Sequence, residues 1–193
     1  PILYDYNLDG IGNSSVPMAF CQYWNEIGNP SLLYAPSKSG RVFFPWLRTP
    51  LGPLAKKLVY RISDRNQIAR LAENYFFKKE SKSSFVYLWA GLSLDIFENF
   101  HQQGVKIIVE RINCHQATAK TILDRAYAEL GLPADHAITN GSIELENKKL
   151  SMAEGIFCPS PMVYKSMIEN GVPSYKLLPT SYGSLPGRFP NLS

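Results

Sequence analysis

The sequence predicts an α/β fold in which helices flank a mostly parallel sheet on both faces. Apolar runs of strand length alternate with segments whose apolar residues recur at helical spacing, as in a chain of βαβ units. The 193 residues include 45% apolar side chains, which is enough to bury one core. An aromatic content of 12% and ordinary glycine and proline contents exclude disordered, collagen-like and low-complexity classes.

The first βαβ unit occupies the N-terminal part of the chain. An apolar run over Ile2–Tyr6 predicts the first strand, and a glycine-containing loop follows over Asn7–Ser15. Apolar positions within Val16–Trp24 recur at i, i+3, i+4, i+7 and i+8, which predicts a helix. Gly28-Asn29-Pro30 ends this helix, and Ser31–Ala35 has the pattern of a second short strand.

A basic segment then interrupts the alternation. Pro53 is well placed as the first residue of a helix. The apolar face of that helix comprises Leu54, Leu58 and Ile62. Asp64 and Gln67 have the spacing of a capping box, which predicts that another helix begins there. The apolar positions of this second helix are Ile68, Leu71, Ala72, Tyr75 and Phe76.

Strands and helices alternate again from residue 85 onward. The predicted strands are Phe85–Trp89, Val105–Glu110, Gly155–Cys158 and Lys176–Pro179. Four helices are predicted between and after these strands. The first begins at the cap Ser93 and ends at Gly104, and the second contains Ile122, Ala126 and Leu130 and ends at Gly131. The third spans Ser142–Ala153, and the fourth begins at the cap Ser160 and ends at Gly171. This order implies a mostly parallel sheet that is buried on both faces.

Cysteine usage and hydropathy limit the compartment and the kind of site. Three scattered cysteines that form no CxxC pair predict neither a disulfide framework nor a zinc site. No apolar run approaches the ~18–20 residues that cross a bilayer, and no basic stretch precedes an apolar core as in a secretory signal. We therefore expect a cytoplasmic protein that has no metal and no cofactor.

Positive charge is concentrated in one part of the chain. The segment from Gly40 to Lys82 contains ten basic and three acidic residues, a net charge of +7 in a chain whose total is +4. Such an excess attracts an anionic partner, which can be a phosphate, a nucleotide or an acidic membrane surface. The alternative is a set of solvated helix faces without a partner, and the sequence does not separate the two.

Three loops are candidates for a ligand site. In an open parallel sheet, ligands bind outside the carboxyl ends of the strands, at the point where the strand order reverses. The loops that follow predicted strands in this way are Asp9–Ser15, Trp89–Ser93 and Arg111–Gln116. This rule selects them without reference to any known protein.

The first loop, Gly10-Ile11-Gly12-Asn13-Ser14-Ser15, differs by one letter from the fingerprint G-x-G-x-x-G/A. Its glycines permit a close approach of the backbone, and the next helix offers unpaired N–H groups to an anion. A dinucleotide site also needs an acidic residue after the second strand, where this chain has Pro36-Ser37-Lys38. We therefore predict contacts to phosphate or sugar from Gly10, Gly12, Asn13 and Ser14. A plain tight turn and an NAD(P) site are the alternatives.

The third loop, after the strand that ends at Glu110, carries Asn113 and His115. A histidine and an amide at this place are suited to bind sugar hydroxyls, and histidine also polarises reacting centres. The alternatives are a solvent-facing His115 at a helix start, and ion pairs that Glu110 and Arg111 form with one another or with neighbouring residues. A glycosidase-like carboxylate pair of Asp9 and Glu110 is a further option. Walker, HExxH and Ser-His-Asp patterns are missing from the sequence.

The last fifty residues carry a resemblance to a known family. They contain, in order, Ala153-Glu154-Gly155-Ile156-Phe157-Cys158-Pro159-Ser160, Gly171-Val172-Pro173 and Lys176-Leu177-Leu178-Pro179-Thr180-Ser181-Tyr182-Gly183. This series resembles the passage AD-x-I-x-x-x-S … G-V-P-x-x-K-(I/L)-x-V-x-x-(Y/N)-G of GT-B glycosyltransferases of the family 4 (group 1) type. There it forms the last βαβ unit of an N-terminal Rossmann-like domain and leads into the interdomain hinge.

The resemblance implies that residues 1–183 are the acceptor-side, Rossmann-like half of an enzyme that transfers a sugar from a nucleotide-sugar donor to an acceptor, usually without a metal. Residues 184–193 would be a linker to a C-terminal domain that binds the donor and is missing here, so we expect no catalysis by this chain alone. His115 lies near the family's loop histidine and is the predicted catalytic residue. Predicted substrate contacts, besides the first loop, are Glu110, Asn113 and Tyr182.

The expected partners are the sugar acceptor, the nucleotide-sugar donor and the missing domain, but no nucleic acid. A peripheral contact with the anionic inner face of a membrane is a further option, because of the basic segment. Two other functions stay open. One is a non-catalytic Rossmann-like module that binds a partner through the basic segment, and the other is an NAD(P)-dependent oxidoreductase.

Overall fold

The computed structural model of the chain describes residues 1–40 and 42–181, and it has a seven-stranded parallel sheet. The strands are β1 (Ile2–Leu3), β2 (Leu33–Tyr34), β3 (Leu47–Arg48), β4 (Phe85–Trp89), β5 (Lys106–Glu110), β6 (Gly155–Cys158) and β7 (Leu177–Pro179). The α-helices are α1 (Ser15–Glu26), α2 (Pro53–Ile62), α3 (Arg65–Glu80), α4 (Leu94–Gln102), α5 (Gln116–Glu129), α6 (Asn140–Met152) and α7 (Pro161–Glu169). The predicted α/β class and the parallel sheet are confirmed.

The strand order β3-β2-β1-β4-β5-β6-β7 contains one reversal. The chain begins in the middle of the sheet at β1 and moves outward through β2 to β3. It then returns to the other side of β1 as β4, and from there it proceeds outward to β7. The switch point therefore lies between β1 and β4, where the connections leave in opposite directions and open a crevice.

Helices cover both faces of the sheet. On one face, Phe20 and Trp24 of α1 pack their rings against Tyr87, and Phe157 completes the aromatic cluster. The other face carries α3, α4 and α6. There Phe76 of α3 contacts Tyr34 of β2 and Phe100 of α4. The strands β1, β2, β4, β5 and β6 are mostly buried because both faces are covered, which explains their apolar sequences.

Local signals determined the ends of several helices as predicted. Asp64 accepts a hydrogen bond from the Gln67 N–H at the start of α3, and the Gln67 side chain accepts one from the Asp64 N–H. Ser160 caps α7 in the same manner, and Pro161 is its first residue. Gly171 follows α7 with a φ of 82°, a conformation that suits glycine beyond a helix end.

The N-terminal half differs from the sequence prediction at two strands. β1 is limited to Ile2–Leu3, because the chain leaves the ladder before Asp5 and rejoins it only at a bridge between Leu8 and Lys38. β3 was not predicted, since two half-buried residues in a basic segment give no strand periodicity. The helix α2 was predicted together with its apolar face, and that face is exposed.

The remaining predictions concern the C-terminal end and the compartment. Tyr182, the domain boundary at 183 and the linker 184–193 lie outside the described residues. No helix in the described ranges is both long enough and apolar enough to cross a bilayer.

Candidate functional site

The carboxyl end of the sheet brings together the segments that follow β1, β4 and β5. The segment after β1 consists of residues 4–14, and it ends in a short 3-10 helix over Gly12–Ser14 that runs directly into α1. The segments after β4 and β5 lead into α4 and α5. Since β1 and β4 flank the switch point, the first two segments form the walls of the crevice.

Ser14 organises the first loop. Its Oγ donates to Asp9 Oδ1 at 2.6 Å and accepts the N–H groups of Gly10 and Ile11 at 3.0 and 3.1 Å. Asp9 Oδ1 also accepts the Ile11 N–H, and the hydrogen bond from Ser14 is the main cause that holds the pKa of Asp9 below its usual range. Gly10 and Gly12 have φ values of 80° and 56°, which favour glycine. The loop is therefore held in one shape by its own side chains.

Two amides of this loop are free to bind a ligand. Within residues 1–40 and 42–181, the N–H groups of Gly12 and Asn13 donate to no acceptor, and both residues are exposed. They are the first residues of the 3-10 helix that continues into α1, so the dipoles of the following peptides favour negative charge at this point. This geometry fits the predicted contact to phosphate.

The starts of α4 and α5 differ from the first loop, because a protein carboxylate accepts one backbone N–H at each of them. Glu73 of α3 accepts the Ser93 N–H at 2.7 Å and the Ser93 hydroxyl at 2.6 Å. Glu146 of α6 accepts the Gln116 N–H at 2.7 Å. Since these N–H groups are satisfied within the protein, α4 and α5 do not offer them to an anion as the first loop does.

A buried carboxyl group stands at the switch point itself. Asp5 follows β1 and is only 4% exposed, and neither carboxylate oxygen has a hydrogen-bond partner among the described residues. Its nearest cation is the Arg65 guanidinium, with Nη2 4.0 Å from Oδ2, and that group stacks on the Tyr6 ring at 3.9 Å. A Cβ on Gly91 would overlap Asp5 Oδ2, so glycine at the end of the β4 segment makes room for the carboxyl group.

The surroundings of Asp5 change its titration. Burial raises the pKa of Asp5 to about 7, and the nearby N–H of its own backbone, followed by the positive charges of Arg65 and Lys149, only partly opposes this effect. Glu73 adds a further, smaller upward contribution. Lys149 is itself tied to the wall of the crevice, because its ammonium group donates to the carbonyls of Ala90 and Leu92. A carboxyl group that titrates near neutrality beside a crevice is a typical feature of a functional site.

His115, the predicted catalytic residue, is the N-cap of α5 and is only 1% exposed. Its Nδ1 accepts the Ala117 N–H at 3.2 Å, and its Nε2 lies 2.9 Å from Asn147 Oδ1 and 3.5 Å from a Glu146 oxygen. Both ring nitrogens thus face groups of α5 and α6. A contact between this ring and a substrate stays a prediction.

The other predicted contacts lie in different environments. Glu110 is buried and accepts a hydrogen bond from the Tyr87 hydroxyl, and burial raises its pKa to about 7. Asn113 is exposed on the loop after β5. Asp9 is exposed, whereas Glu110 is enclosed, so the two carboxylates do not share one environment. Arg111 pairs with Glu146 at 2.5 Å rather than with its neighbour Glu110.

The sequence did not single out Asp5, Arg65, Glu73 or Lys149. Asp5 stands inside an apolar run, where a single acidic residue is easily taken as part of a strand. One signal was present: an ionisable residue directly after a central strand lies where ligands bind in such sheets. The other three residues come from helices 60 to 144 positions further along the chain, so no local pattern indicated them.

Comparison with models of known protein families gave no match, and comparison with curated proteins gave none either. The functional interpretation therefore depends on the geometry at the switch point and on the sequence motifs. Among the described residues, no cluster of three or more histidine, cysteine, aspartate or glutamate side chains is suited to hold a metal ion.

Proposed function

We propose that this chain is the acceptor-side domain of a GT-B type glycosyltransferase, which moves a sugar from a nucleotide-sugar donor to an acceptor. The observation that carries the proposal is the pair of free amides at Gly12 and Asn13, at the carboxyl end of β1 beside the switch point. The order of sequence motifs from residue 153 to residue 183 supports the same family.

The chemistry of sugar transfer suits this arrangement. The bond between the anomeric carbon and the diphosphate breaks, a bond to the acceptor oxygen forms, and the proton of the acceptor hydroxyl passes to the departing diphosphate. Negative charge grows on the departing diphosphate, and oriented N–H donors stabilise it. In this proposal the Gly12 and Asn13 amides supply such donors. Asp5, whose carboxyl oxygens are buried, is assigned no contact with the substrate. No step is assigned to His115.

A second lobe is part of the proposal. In a GT-B enzyme the donor nucleotide is held mainly by the C-terminal domain, across the crevice from the acceptor-side domain. The described residues supply one wall only, so transfer would require that partner domain. The protein would act at the cytoplasmic side, in a reaction without a metal.

Substitution at Gly12 tests the proposal. A Gly12→Val side chain finds no atom within 4 Å of its Cβ, so it fits sterically, but it covers the amide and costs about 1–2 kcal/mol because φ is 56°. We expect the full-length gene product to lose sugar transfer from radiolabelled nucleotide-sugars while it stays folded.

Gly28→Val is the matched control. Gly28 also has a positive φ, 83°, and open space around its Cβ, but it lies beyond the other end of α1. The two variants should lose similar stability, and only Gly12→Val should lose transfer. Equal activity in both variants would remove the first loop from the mechanism, and no transfer by the unaltered protein with any nucleotide-sugar would reject the enzyme class.

A second function is favoured by the surface of α2. We infer that this helix binds an anionic membrane surface. Leu54, Leu58 and Ile62 form one face of α2 and are 85%, 62% and 72% exposed. Lys57 and Arg61 flank this apolar face and are exposed as well. Apolar residues bordered by cations are typical of helices that lie in the interface of an anionic bilayer. This contact is compatible with either a transferase or a non-catalytic module.

A further inference from the structure

A cavity of about 430 Å³ lies beside the first loop, between the segments that follow β2 and β3 and the first turns of α2. We call it the lysine pocket. It is lined by Lys38, Ser39, Gly40, Thr49, Leu51, Gly52, Lys56, Lys57 and Tyr60. The position is again the carboxyl end of parallel strands, on the opposite side of β1 from β4. No part of the site described above uses it.

The charge of the lysine pocket has one sign. Three of its lining residues are lysines and none is acidic. Lys56 is held in place, because its Nζ donates to Asn7 Oδ1 at 2.6 Å and to the Lys38 carbonyl at 3.0 Å. Lys38 Nζ lies 4.4 Å from the centre of the Phe43 ring, and Lys57 is exposed. Among the described residues, no carboxylate lies within 4.0 Å of any of these three ammonium groups.

Uncharged donors point to the same kind of ligand. Ser39 lines the pocket, and its hydroxyl oxygen is buried without a hydrogen-bond partner in the described part of the chain. The helix α2 begins beside the pocket, and Gly52 at its N-cap position provides no side-chain cap. In the described residues, the Leu54 and Ala55 N–H groups have no acceptor. One fixed lysine, two further lysines, an unpartnered hydroxyl beside them and an uncapped helix start are together suited to bind phosphate.

We propose that the lysine pocket binds a phosphate group carried by a larger molecule. Pockets of roughly 300–1,000 Å³ typically enclose a drug-sized ligand, so 430 Å³ accommodates a phosphate together with a group of the size of glycerol or one sugar ring. One consequence rests on the transferase function proposed above: the acceptor is then a phosphate-bearing molecule that enters beside the first loop.

Such a phosphate has two sources, a soluble phosphate ester and the headgroup of a lipid. The apolar face of α2 lies on the same helix as Lys56 and Lys57, so a lipid headgroup in the pocket would leave its acyl chains near Leu54 and Leu58. A soluble ester would make no use of that face. The experiment therefore needs both kinds of ligand.

Titration calorimetry measures the binding of inorganic phosphate, glycerol 3-phosphate and vesicles that contain either phosphatidic acid or phosphatidylcholine. The test variant is Lys38→Ala/Lys57→Ala, which keeps Lys56 and its structural hydrogen bonds. Lys78→Ala/Lys79→Ala removes the same charge from the last turn of α3 and is the matched control. Thermal melting confirms that both variants are folded, and Ser39→Ala provides a test without a change of charge.

We expect saturable binding of glycerol 3-phosphate, weakened at least about tenfold in the pocket variant and by less than about twofold in the control. Tighter binding to phosphatidic acid vesicles than to glycerol 3-phosphate identifies a lipid, and equal or weaker binding identifies a soluble ester. Equal losses in both double variants, or no saturable binding of either kind, overturn the proposal. Phosphate binding without sugar transfer rejects only the transferase, and transfer without phosphate binding rejects only the pocket.

Discussion

The Asp5 carboxyl group is buried at the switch point without a hydrogen-bond partner in the described residues, and this has a cost in stability. Its pKa in the folded chain, about 7, lies above the ordinary value of 3.8. The folded state therefore holds a proton more tightly than the unfolded state does. Between about pH 4 and pH 7 the free energy of unfolding falls as the pH rises, and above pH 7 the loss is complete.

Asp5→Asn removes this titration. The variant should be more stable than the unaltered protein by about 2–4 kcal/mol at pH 8, and the difference should shrink steadily towards pH 4. Glu110 also titrates near pH 7 in both proteins, so the difference between them isolates Asp5. Urea unfolding at pH 5, 6, 7 and 8 measures the difference in the free energy of unfolding between the two proteins.

The control for Asp5→Asn is Asp95→Asn, which neutralises an exposed carboxylate 3.4 Å from Arg70. It should change the free energy of unfolding by less than about 1 kcal/mol at every pH. A stability difference for Asp5→Asn that does not vary with pH would show that Asp5 does not titrate in this range.

At the level of single residues, the sequence predicted what depends on near neighbours. The glycine loop was found because Gly10, Gly12 and Ser14 stand within five positions, and Ser14 forms its hydrogen bonds with residues of the same loop. The charged neighbours of Asp5 and the partner of Ser93 come from α3 and α6. They are far away along the chain, so no local sequence pattern indicates these contacts. The environment of His115 was missed for the same reason, since Asn147 lies 32 residues away.

The helices α4 and α5 begin in a similar way: at each start, a carboxylate from another helix accepts a backbone N–H. Glu73 serves α4 and Glu146 serves α5. These carboxylates satisfy the Ser93 and Gln116 N–H groups, and they connect α3 to α4 and α6 to α5. The expected Ser93 cap exists only in part, because the Ser93 hydroxyl donates to Glu73 instead of accepting from α4.

Glu73→Ala should therefore destabilise the protein. It leaves the Ser93 N–H and hydroxyl without their partner and removes a negative charge near Lys149, at an expected cost of about 2–3 kcal/mol. Glu98→Ala, on the exposed side of α4, should cost less than about 0.5 kcal/mol. Urea unfolding at pH 7 compares them, and equal losses would mean that the Glu73 contact contributes no net stability.

Elements were predictable where their length and periodicity were sufficient. Helices α1 and α3 and strands β4 and β5 have strong patterns, and all four occur close to the predicted ranges. β3 has two residues and pairs only with β2 at the edge of the sheet, so its existence depends on tertiary contact. The amphipathic pattern of α2 was recognised, but periodicity alone does not tell whether an apolar face meets the core or another surface.

For the whole molecule, the strand order has the largest consequence. The order β3-β2-β1-β4 divides the carboxyl end of the sheet into two regions on either side of β1. One region holds the buried charges around Asp5, and the other holds the lysine pocket and α2. The positive charge concentrated in the sequence is divided between these regions: Lys56 and Lys57 line the pocket, whereas Arg65 lies beside Asp5. The arrangement of lysines around a cavity required the structure.

Membrane binding by α2 is a property of the whole molecule, since it combines the apolar face with the surrounding charge. Replacing Leu54, Leu58 and Ile62 together by serine removes apolar area that the fold leaves exposed. We expect co-sedimentation with vesicles rich in phosphatidylserine to fall at least about tenfold, because each leucine or isoleucine contributes ~1.5–3 kcal/mol when it is fully buried. The melting temperature should not fall, since these side chains have few contacts to lose.

The matched control replaces Ile122, Leu130 and Leu132 by serine. These three side chains are also large, apolar and exposed, but they lie on α5 and the loop after it. That variant should bind vesicles as the unaltered protein does. Raising the salt from 50 to 500 mM should weaken binding of the unaltered protein, because the lysine and arginine contribution is screened. Equal losses in both triple variants, or binding to phosphatidylcholine vesicles alone, would show that α2 is not the membrane contact.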